Sequence, residues 1–231
     1  MNNGRAMLQH IVKFTLPKGT DVYPIDFRKA VAKELDDMSQ DELFNYKNGN
    51  GRDSYPYGRF VGGRGWVGYV SEAGEALSTS VLSPGIKVLS KLGINAGVTL
   101  SQEQKRCYLS DDPIIYSISG GVDKSKNKRL RNRTDAQYIE HMIWRMLEQA
   151  VKLNLMDILP TEDDLGLKVF ETRSLGIPAS HNNNEGGLFY TKVSGTFTMN
   201  LTLEGLWQAG QLLSRGHGLI YRQNKGGHYK C

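Results

Sequence analysis

The first half of the chain alternates between strand-like and helix-like patterns of hydrophobic residues. Residues 8–16 are typical of a buried strand, and apolar residues at three- and four-residue spacing then predict a helix. These residues are Phe27, Ala30, Val31, Leu35 and Met38. Arg28 and Lys29 lie between these positions, so we expect their side chains to point away from the buried face.

A polar loop at 45–58 precedes a second pair of elements. The loop is rich in Asn, Gly, Ser and Pro, which is typical of irregular structure. Residues 59–61 and 66–70 predict two strands that turn at 62–65. This pattern indicates a hairpin after the loop.

The segment 71–92 has a broken helical pattern because Pro84 and Gly85 fall inside it. We expect a helix, an interruption and a short second helix. A strand at 98–100 would follow. The order strand, helix, strand, strand, helix, strand is the ferredoxin-like pattern.

The second half begins the same order again. Residues 106–118, 165–170 and 188–199 predict strands, and Thr134 with Gln137 forms a capping box at the start of a helix. The buried face of this helix is predicted to contain Ile139, Met142, Ile143, Met146, Leu147, Ala150 and Leu153.

A last helix and strand are expected near the C-terminus. Thr202 would cap the helix, Gly216 would end it, and residues 219–221 would form the strand. One side of this helix would consist of Leu203, Leu206, Trp207, Gly210 and Leu213.

These elements predict an α+β fold of two tandem ferredoxin-like domains, which are also described as RRM-like. The N-terminal domain would span 1–105 and the C-terminal domain 106–231, with a basic helical insertion. A chain of 231 residues that is 39% hydrophobic can bury a sizeable core without disulfides.

Composition narrows the location of the protein. Cys107 and Cys231 are the two cysteines of the sequence, which excludes a disulfide framework and a four-cysteine zinc site and favours a reducing compartment. The first fifteen residues contain no long apolar stretch before a small-residue cleavage site, so no export signal is expected, and no 18 apolar residues run together. We therefore expect a cytoplasmic protein with no membrane partner.

Positive charge is concentrated in one block. The net charge is +5, and residues 124–133 contain six cations with no acidic residue. The six are Lys124, Lys126, Lys128, Arg129, Arg131 and Arg133. The block is either a solubilising loop or a phosphate-binding segment.

The position of the block favours a phosphate ligand. It directly precedes the predicted capping box, and the N-terminus of a helix attracts anions through its dipole and free N–H groups. Structured RNA fits better than sequence-read DNA, because no helix-turn-helix or zinc finger is present. Tyr46, Tyr55 and Tyr57 could stack on unpaired bases or could pack within their loop.

No cofactor or metal is expected. The sequence contains no HExxH, CxxC, paired-carboxylate or Walker motif. Its five histidines are scattered, and each has an ordinary structural interpretation. His181 and His217, in polar or glycine-flanked turns, are the stronger candidates for a functional role.

The C-terminal run GLWQAGQLLSRGHG, at 205–218, resembles the helix and glycine-rich loop of the CRISPR-associated RAMP proteins. It is most similar to the repeat-RNA endonucleases of type IV CRISPR systems. The resemblance continues through Tyr23-Pro24, Asn45-Tyr46, Gly62-Gly63 and His181-Asn182, which fall in the family's order.

The resemblance implies an endoribonuclease that cuts CRISPR precursor RNA below a hairpin in each repeat. It implies metal-independent attack by the 2′-OH on the adjacent phosphate, and retention of the product hairpin together with other subunits of the effector complex. It also places the turn of Arg215, Gly216, His217 and Gly218 beside the RNA, along with His181.

The sequence departs from the histidine-based pattern of many relatives, because it has no histidine between His10 and His141. The resemblance to the type IV members points instead to arginine, with Arg52 first and Arg28 second. Arginine can neutralise the phosphate but is a poor base. Proton transfer would then fall to Tyr46, to water or to another side chain.

Two other interpretations stay open. A non-catalytic RAMP subunit would cap or line the guide RNA without cutting it. A generic RNA-binding protein would leave the resemblance at 205–218 unexplained.

Overall fold

The computed structural model describes residues 5–35, 43–44, 46–47, 50–51, 55–123, 133–178 and 189–223. They form two compact units. The N-terminal unit contains Met7–Lys105 with Leu213–Gly216, and the C-terminal unit contains Arg106–Leu212 with residues 217–223. Within the described ranges, no helix is long and apolar enough to cross a membrane.

The N-terminal unit has strands and helices in alternation. Its elements are β1 (Met7–Thr15), α1 (Pro24–Glu34), β2 (Tyr46–Lys47), β3 (Asn50–Gly51), β4 (Gly58–Gly63), β5 (Trp66–Ser71), α2 (Glu75–Thr79), α3 (Leu82–Lys91) and the start of β6 (Gly97–Asp123). The predicted first strand and hairpin are confirmed. The predicted break between two helices is also confirmed, but Pro84 lies in the first turn of α3, where its missing N–H is not needed.

The N-terminal sheet is antiparallel, in the order β4-β5-β1-β6. Tyr69 pairs with Phe60 on one side and Val12 on the other, so these three side chains share one face. Phe27 of α1 packs edge-on against Phe14 of β1 at a ring-centroid distance of 5.4 Å. The helices therefore cover this face.

The C-terminal unit has one long helix. Its elements are the rest of β6, α4 (Asp135–Lys152), α5 (Glu162–Leu165), β7 (Lys168–Pro178), β8 (Phe189–Glu204), β9 (Trp207–Gln208) and β10 (Leu219–Arg222). Pairing follows the order β7-β8-β6-β10-β9, and every pair is antiparallel. The predicted strands at 188–199 and 219–221 are confirmed.

Helix α4 matches its prediction. The Thr134 side chain accepts a hydrogen bond from the backbone of Gln137 at 3.3 Å, and the Gln137 side chain accepts one from the backbone of Thr134 at 2.9 Å. The predicted apolar face is buried from Ile139 to Ala150, but Leu153 caps the C-terminal end of the helix and is only partly buried. Local capping and periodicity are both satisfied, so the helix forms where the pattern places it.

The helix predicted after Thr202 is wrong. Strand β8 continues to Glu204, because Phe197, Met199, Leu201 and Leu203 are buried at every second position. Thr202 pairs with Tyr108 in the sheet instead of capping a helix. A 3₁₀ turn at Leu213–Arg215 is the helical structure before Gly216.

The strand predicted at 165–170 is also partly wrong. Leu165 ends the short helix α5, whose first turn is capped by the Thr161 side chain. Gly166 then has a positive φ of 54°, and strand β7 begins at Lys168. The capped turn takes the first three residues of the predicted strand.

Candidate functional site

Arg28 lies on α1, next to Phe27, which packs in the core of the N-terminal unit. Its side chain is buried, with 8% of the residue exposed, so the expectation that it points away from the buried surface is wrong. Its Nη2 donates a hydrogen bond to the carbonyl oxygen of Phe44 at 3.3 Å. The guanidinium carbon also lies 5.0 Å from the centre of the Phe44 ring. Helix α1 is therefore contacted on a second side by Phe44, and the spacing of its apolar residues does not predict this contact.

The segment after Phe44 contains the other predicted catalytic residues. Tyr46 pairs with Gly51 in the two-stranded β2–β3 ladder. Arg52 follows Gly51 in the chain and lies outside the described residues, as does the side chain of Tyr46. The backbone therefore connects the Arg28 contact, Tyr46 and Gly51 within one short segment.

A buried cluster of charged and polar side chains lies on the other face of the N-terminal sheet. Glu72 Oε1 accepts hydrogen bonds from Arg59 Nη2 at 2.7 Å, Lys105 Nζ at 2.9 Å and Gln9 Nε2 at 2.7 Å. The Tyr55 hydroxyl accepts from Arg59 Nη1, and from Lys105 Nζ at 2.6 Å. The cluster joins three strands and the end of the polar loop.

The register explains why these side chains meet. Arg59 pairs with Val70, and Val70 pairs with Ile11. Glu72 follows Val70 by two residues, just beyond the end of β5, and Gln9 precedes Ile11 by two, so both point to this face. The sequence does not reveal this cluster, because its residues are far apart in the chain and match no catalytic motif.

The electrostatics of the cluster are those of a locked ion network. Burial would raise the pKa of Glu72, but the charges of Arg59 and Lys105 hold that pKa at about 2. Burial raises the pKa of the Tyr55 hydroxyl well above its ordinary value. Burial would lower the pKa of Arg59, yet attraction to Glu72 raises it. Tyr55 is therefore a neutral hydrogen-bond partner, and Arg59 stays charged.

The start of α4 carries the described end of the basic block. Arg133 precedes the capping residue, and its Nη1 lies 3.7 Å from Oδ2 of the buried Asp123. Burial lowers the pKa of His141, in the second turn of the helix, and the charge of Arg133 lowers it further. The other five cations, from Lys124 to Arg131, lie outside the described residues, as does His181.

The predicted glycine-rich turn is present, and its geometry is imposed by packing. Gly216 and Gly218 have positive φ values of 84° and 73°. A Cβ at Gly218 would lie 1.8 Å from the carbonyl oxygen of Ala209. A Cβ at Gly216 would lie 2.4 Å from Cβ of Pro24. Both glycines are required by contacts within their own units, so a larger residue there would disturb the fold before it reported on a ligand.

Arg215 and His217 flank Gly216 and are partly exposed. The backbone carbonyl of His217 accepts a hydrogen bond from Gln208 Nε2 at 2.9 Å. The Gly218 N–H donates to Ser119 at 3.1 Å. The backbone of the turn is therefore held by the C-terminal sheet on the side that follows Gly216.

Comparisons with known proteins identify the family of this chain. Residues 7–225 match the family model of the type IV CRISPR-associated endonuclease Csf5. The structure is similar to that of "Csf5, CRISPR-Cas type IV Cas6 crRNA endonuclease", with 25% identity and a TM-score of 0.73, over 94% of this chain and 100% of that chain. No curated protein matches the chain.

Two structures of Cas6b share the fold. One is 16% identical with a TM-score of 0.57, over 94% of this chain and 99% of that chain. The other, a CRISPR RNA processing endoribonuclease, is 14% identical with a TM-score of 0.52, over 94% of this chain and 100% of that chain. The family model covers nearly all of the chain, from β1 to just beyond β10. The chain belongs to the family of type IV CRISPR-associated endonucleases, Csf5.

Proposed function

We propose that this CRISPR RNA-processing endonuclease is a metal-independent endoribonuclease that cuts the repeat of the precursor RNA and keeps the product hairpin. The observation that carries the proposal is the match of residues 7–225 to the Csf5 family. Other subunits of the effector complex would be its protein partners. The strand orders β4-β5-β1-β6 and β7-β8-β6-β10 support two tandem ferredoxin-like domains, 1–105 and 106–231, the second without its last helix.

The reaction is an internal transesterification. The 2′ oxygen forms a bond to the adjacent phosphorus, the bond from phosphorus to the 5′ oxygen breaks, and the 2′ proton passes to a base. A proton delivered to the 5′ oxygen completes the step. The products are a 2′,3′-cyclic phosphate and a 5′-OH. Stabilising the phosphorane charge is the main task of the protein.

Arginine is assigned to this charge, with Arg52 first and Arg28 second. The contact of Arg28 with Phe44 and the pairing of Tyr46 with Gly51 support the assignment, because they tie all three candidates to one segment. Arg52 would hold the phosphate, since its pKa above about 12 makes it a poor base. Tyr46 or water would transfer the proton.

Binding of the hairpin is assigned to two regions. The cations of 124–133 would contact phosphates of the stem, and the exposure of Thr134 and Gln137 at the start of α4 supports this role. The turn Arg215, Gly216, His217 and Gly218, together with His181, would contact the base of the hairpin. The partial exposure of Arg215 and His217 supports this assignment.

The chemistry is tested with purified protein and RNA that contains its own repeat. Cleavage should survive EDTA, should stop when the nucleotide before the cut has a 2′-deoxy sugar, and should leave a 2′,3′-cyclic phosphate. Cleavage of the deoxy substrate would overturn the mechanism. Tight binding without any cleavage would favour the non-catalytic subunit.

The catalytic assignment is tested by Arg52→Ala. We expect near-wild-type affinity for the repeat with cleavage about 100- to 1000-fold slower, as for loss of one charge-stabilising donor. Arg145→Ala is the matched control, because Arg145 is exposed on α4 and pairs with Glu148. Cleavage by Arg52→Ala at the wild-type rate would remove Arg52 from the site. Arg28→Lys, which keeps the buried charge, tests Arg28 with the melting temperature measured alongside.

A further inference from the structure

Helix α4 covers one face of the C-terminal sheet, and side chains of β8 also point to the opposite face. A Cβ at Gly195 of β8 would lie 2.6 Å from Cδ1 of Ile139 on α4, so this position faces the helix. Val193 and Phe197, two residues to either side, are buried. Side chains of the alternate residues of β8 therefore point to the opposite face, here called the outer face. They are Ser194, Thr196 and Thr198.

Strand β7 adds two cations to the outer face. Arg173 pairs with Ser194, and Lys168 pairs with Thr198. Residues directly opposite each other in a ladder point to the same side of the sheet. Both cations are exposed. Positive charge and hydroxyl groups thus alternate with the buried core residues.

A β-bulge places an aromatic residue between these cations. Val169 pairs with Phe197 and Thr172 with Gly195, so Phe170 and Glu171 together oppose the single residue Thr196. Such bulges bend a strand and redirect its side chains. Phe170 is 58% exposed as a result.

The backbone of the bulge packs against Gly195 of the neighbouring strand β8. A Cβ at Gly195 would lie 2.5 Å from the carbonyl oxygen of Glu171, so the bulged backbone occupies space that a side chain would need. The same position faces Ile139 of α4. The backbone directly after Phe170 is therefore packed closely against Gly195.

We propose that Phe170 stacks on an unpaired base of the RNA while Lys168 and Arg173 bind the flanking phosphates. An exposed aromatic ring between cations is the usual platform for single-stranded nucleic acid. Within the stretch 168–173, Lys168 and Arg173 outnumber the acidic Glu171, which favours a polyanion over an apolar protein partner. The proposal rests on the proposed function only for the choice of RNA as the ligand.

The test uses a ten-nucleotide single-stranded oligoadenylate that carries one 2-aminopurine. Wild-type protein should bind the probe and quench its fluorescence. Phe170→Ala should lose about 10-fold or more in affinity together with the quenching, because the stacked ring is removed. Phe170→Tyr keeps the ring and should bind like the wild type. Ile158→Ala, at an exposed apolar residue outside this face, should also bind like the wild type.

Salt dependence separates the ring from the cations. Phe170→Ala should keep the wild-type slope of log affinity against log salt, whereas Arg173→Gln should lower its magnitude by about 0.7. Unchanged affinity and quenching in a Phe170→Ala protein with the wild-type melting temperature would overturn the proposal.

Cleavage of the repeat RNA is measured on the same preparations. If the wild type cuts the repeat but Phe170→Ala binds the probe normally, the stacking proposal is wrong and the proposed reaction stands. If Phe170→Ala no longer binds the probe but the wild type never cuts the repeat, the proposed reaction is wrong and the stacking proposal stands.

Discussion

The two sheets use charge in opposite ways. In the N-terminal sheet, the buried side chains of Arg59 and Lys105 both pair with the buried carboxylate of Glu72, on the face opposite the helices. In the C-terminal sheet, Lys168 and Arg173 are exposed, and neither forms an ion pair with an acidic side chain among the residues that the structure describes. Buried charges must be neutralised by the protein itself, whereas exposed charges keep their attraction for a ligand. The first group therefore contributes to the fold, whereas the second keeps its charge available to a ligand.

The largest test of this difference is Glu72→Gln. Two cations would then be buried without a carboxylate, and breaking a buried ion pair costs about 3–5 kcal/mol of unfolding free energy. Urea unfolding measures this loss. Glu171→Gln, at an exposed acidic residue of the other sheet, should change stability by about 0.5 kcal/mol or less. Equal effects of the two substitutions would contradict the distinction.

The same carboxylate should make the protein sensitive to acid. The pKa of Glu72 is about 2 in the folded protein against an ordinary value of 4.5, so the folded state binds this proton less readily than the unfolded state. Its contribution is present above pH 4.5 and is lost as the pH falls toward 2, with a total on the order of 3 kcal/mol. Unfolding curves at several pH values measure it. The part of the slope that is due to Glu72 should vanish in Glu72→Gln; an unchanged slope would contradict the prediction.

Neutralising the basic block should act on binding without a matching loss of stability. Lys126→Gln, Arg129→Gln and Arg131→Gln together should weaken hairpin binding about 10-fold or more and flatten its salt dependence, because fewer counterions are released. Filter binding across a salt series measures both effects. A triple variant with the wild-type affinity and slope would reduce the block to a solubilising loop.

The sequence predicts elements well where the signal is local. Helix α4 has its capping box and its apolar face within one segment, so no distant contact can change the outcome. The segment after Thr202 also has apolar residues at helical spacing, but its burial follows the two-residue period of β8. Gly205 and Gly210, with φ values of 76° and 99°, then break any helix. A short apolar run is ambiguous until its sheet partner is known.

The site depends more strongly on contacts between distant residues. Arg59 is 13 residues from Glu72, and Lys105 is 33 residues from it, so only the strand register brings them together. The bulge that exposes Phe170 likewise depends on the pairing of β7 with β8. The burial of Arg28 depends on Phe44, which follows it by 16 residues. Residue types and local spacing contain none of this information.

The smallest effect concerns Asp123, Arg133 and His141, where a buried carboxylate meets partly exposed cations. Burial lowers the pKa of His141, and Arg133 lowers it more than Arg145 does, while Asp123 opposes both. Because the folded state binds the proton less readily than the unfolded state, the contribution of His141 to stability is present above about pH 6.5 and declines as the pH falls. Arg133→Gln should raise the pKa of His141, Arg145→Gln should raise it less, and Asp123→Asn should lower it. An NMR titration of the imidazole measures all three shifts. If Arg145→Gln moved the pKa further than Arg133→Gln, the residue before the helix cap would not be the main charge that His141 experiences, and the start of α4 would be less positive than its structure indicates.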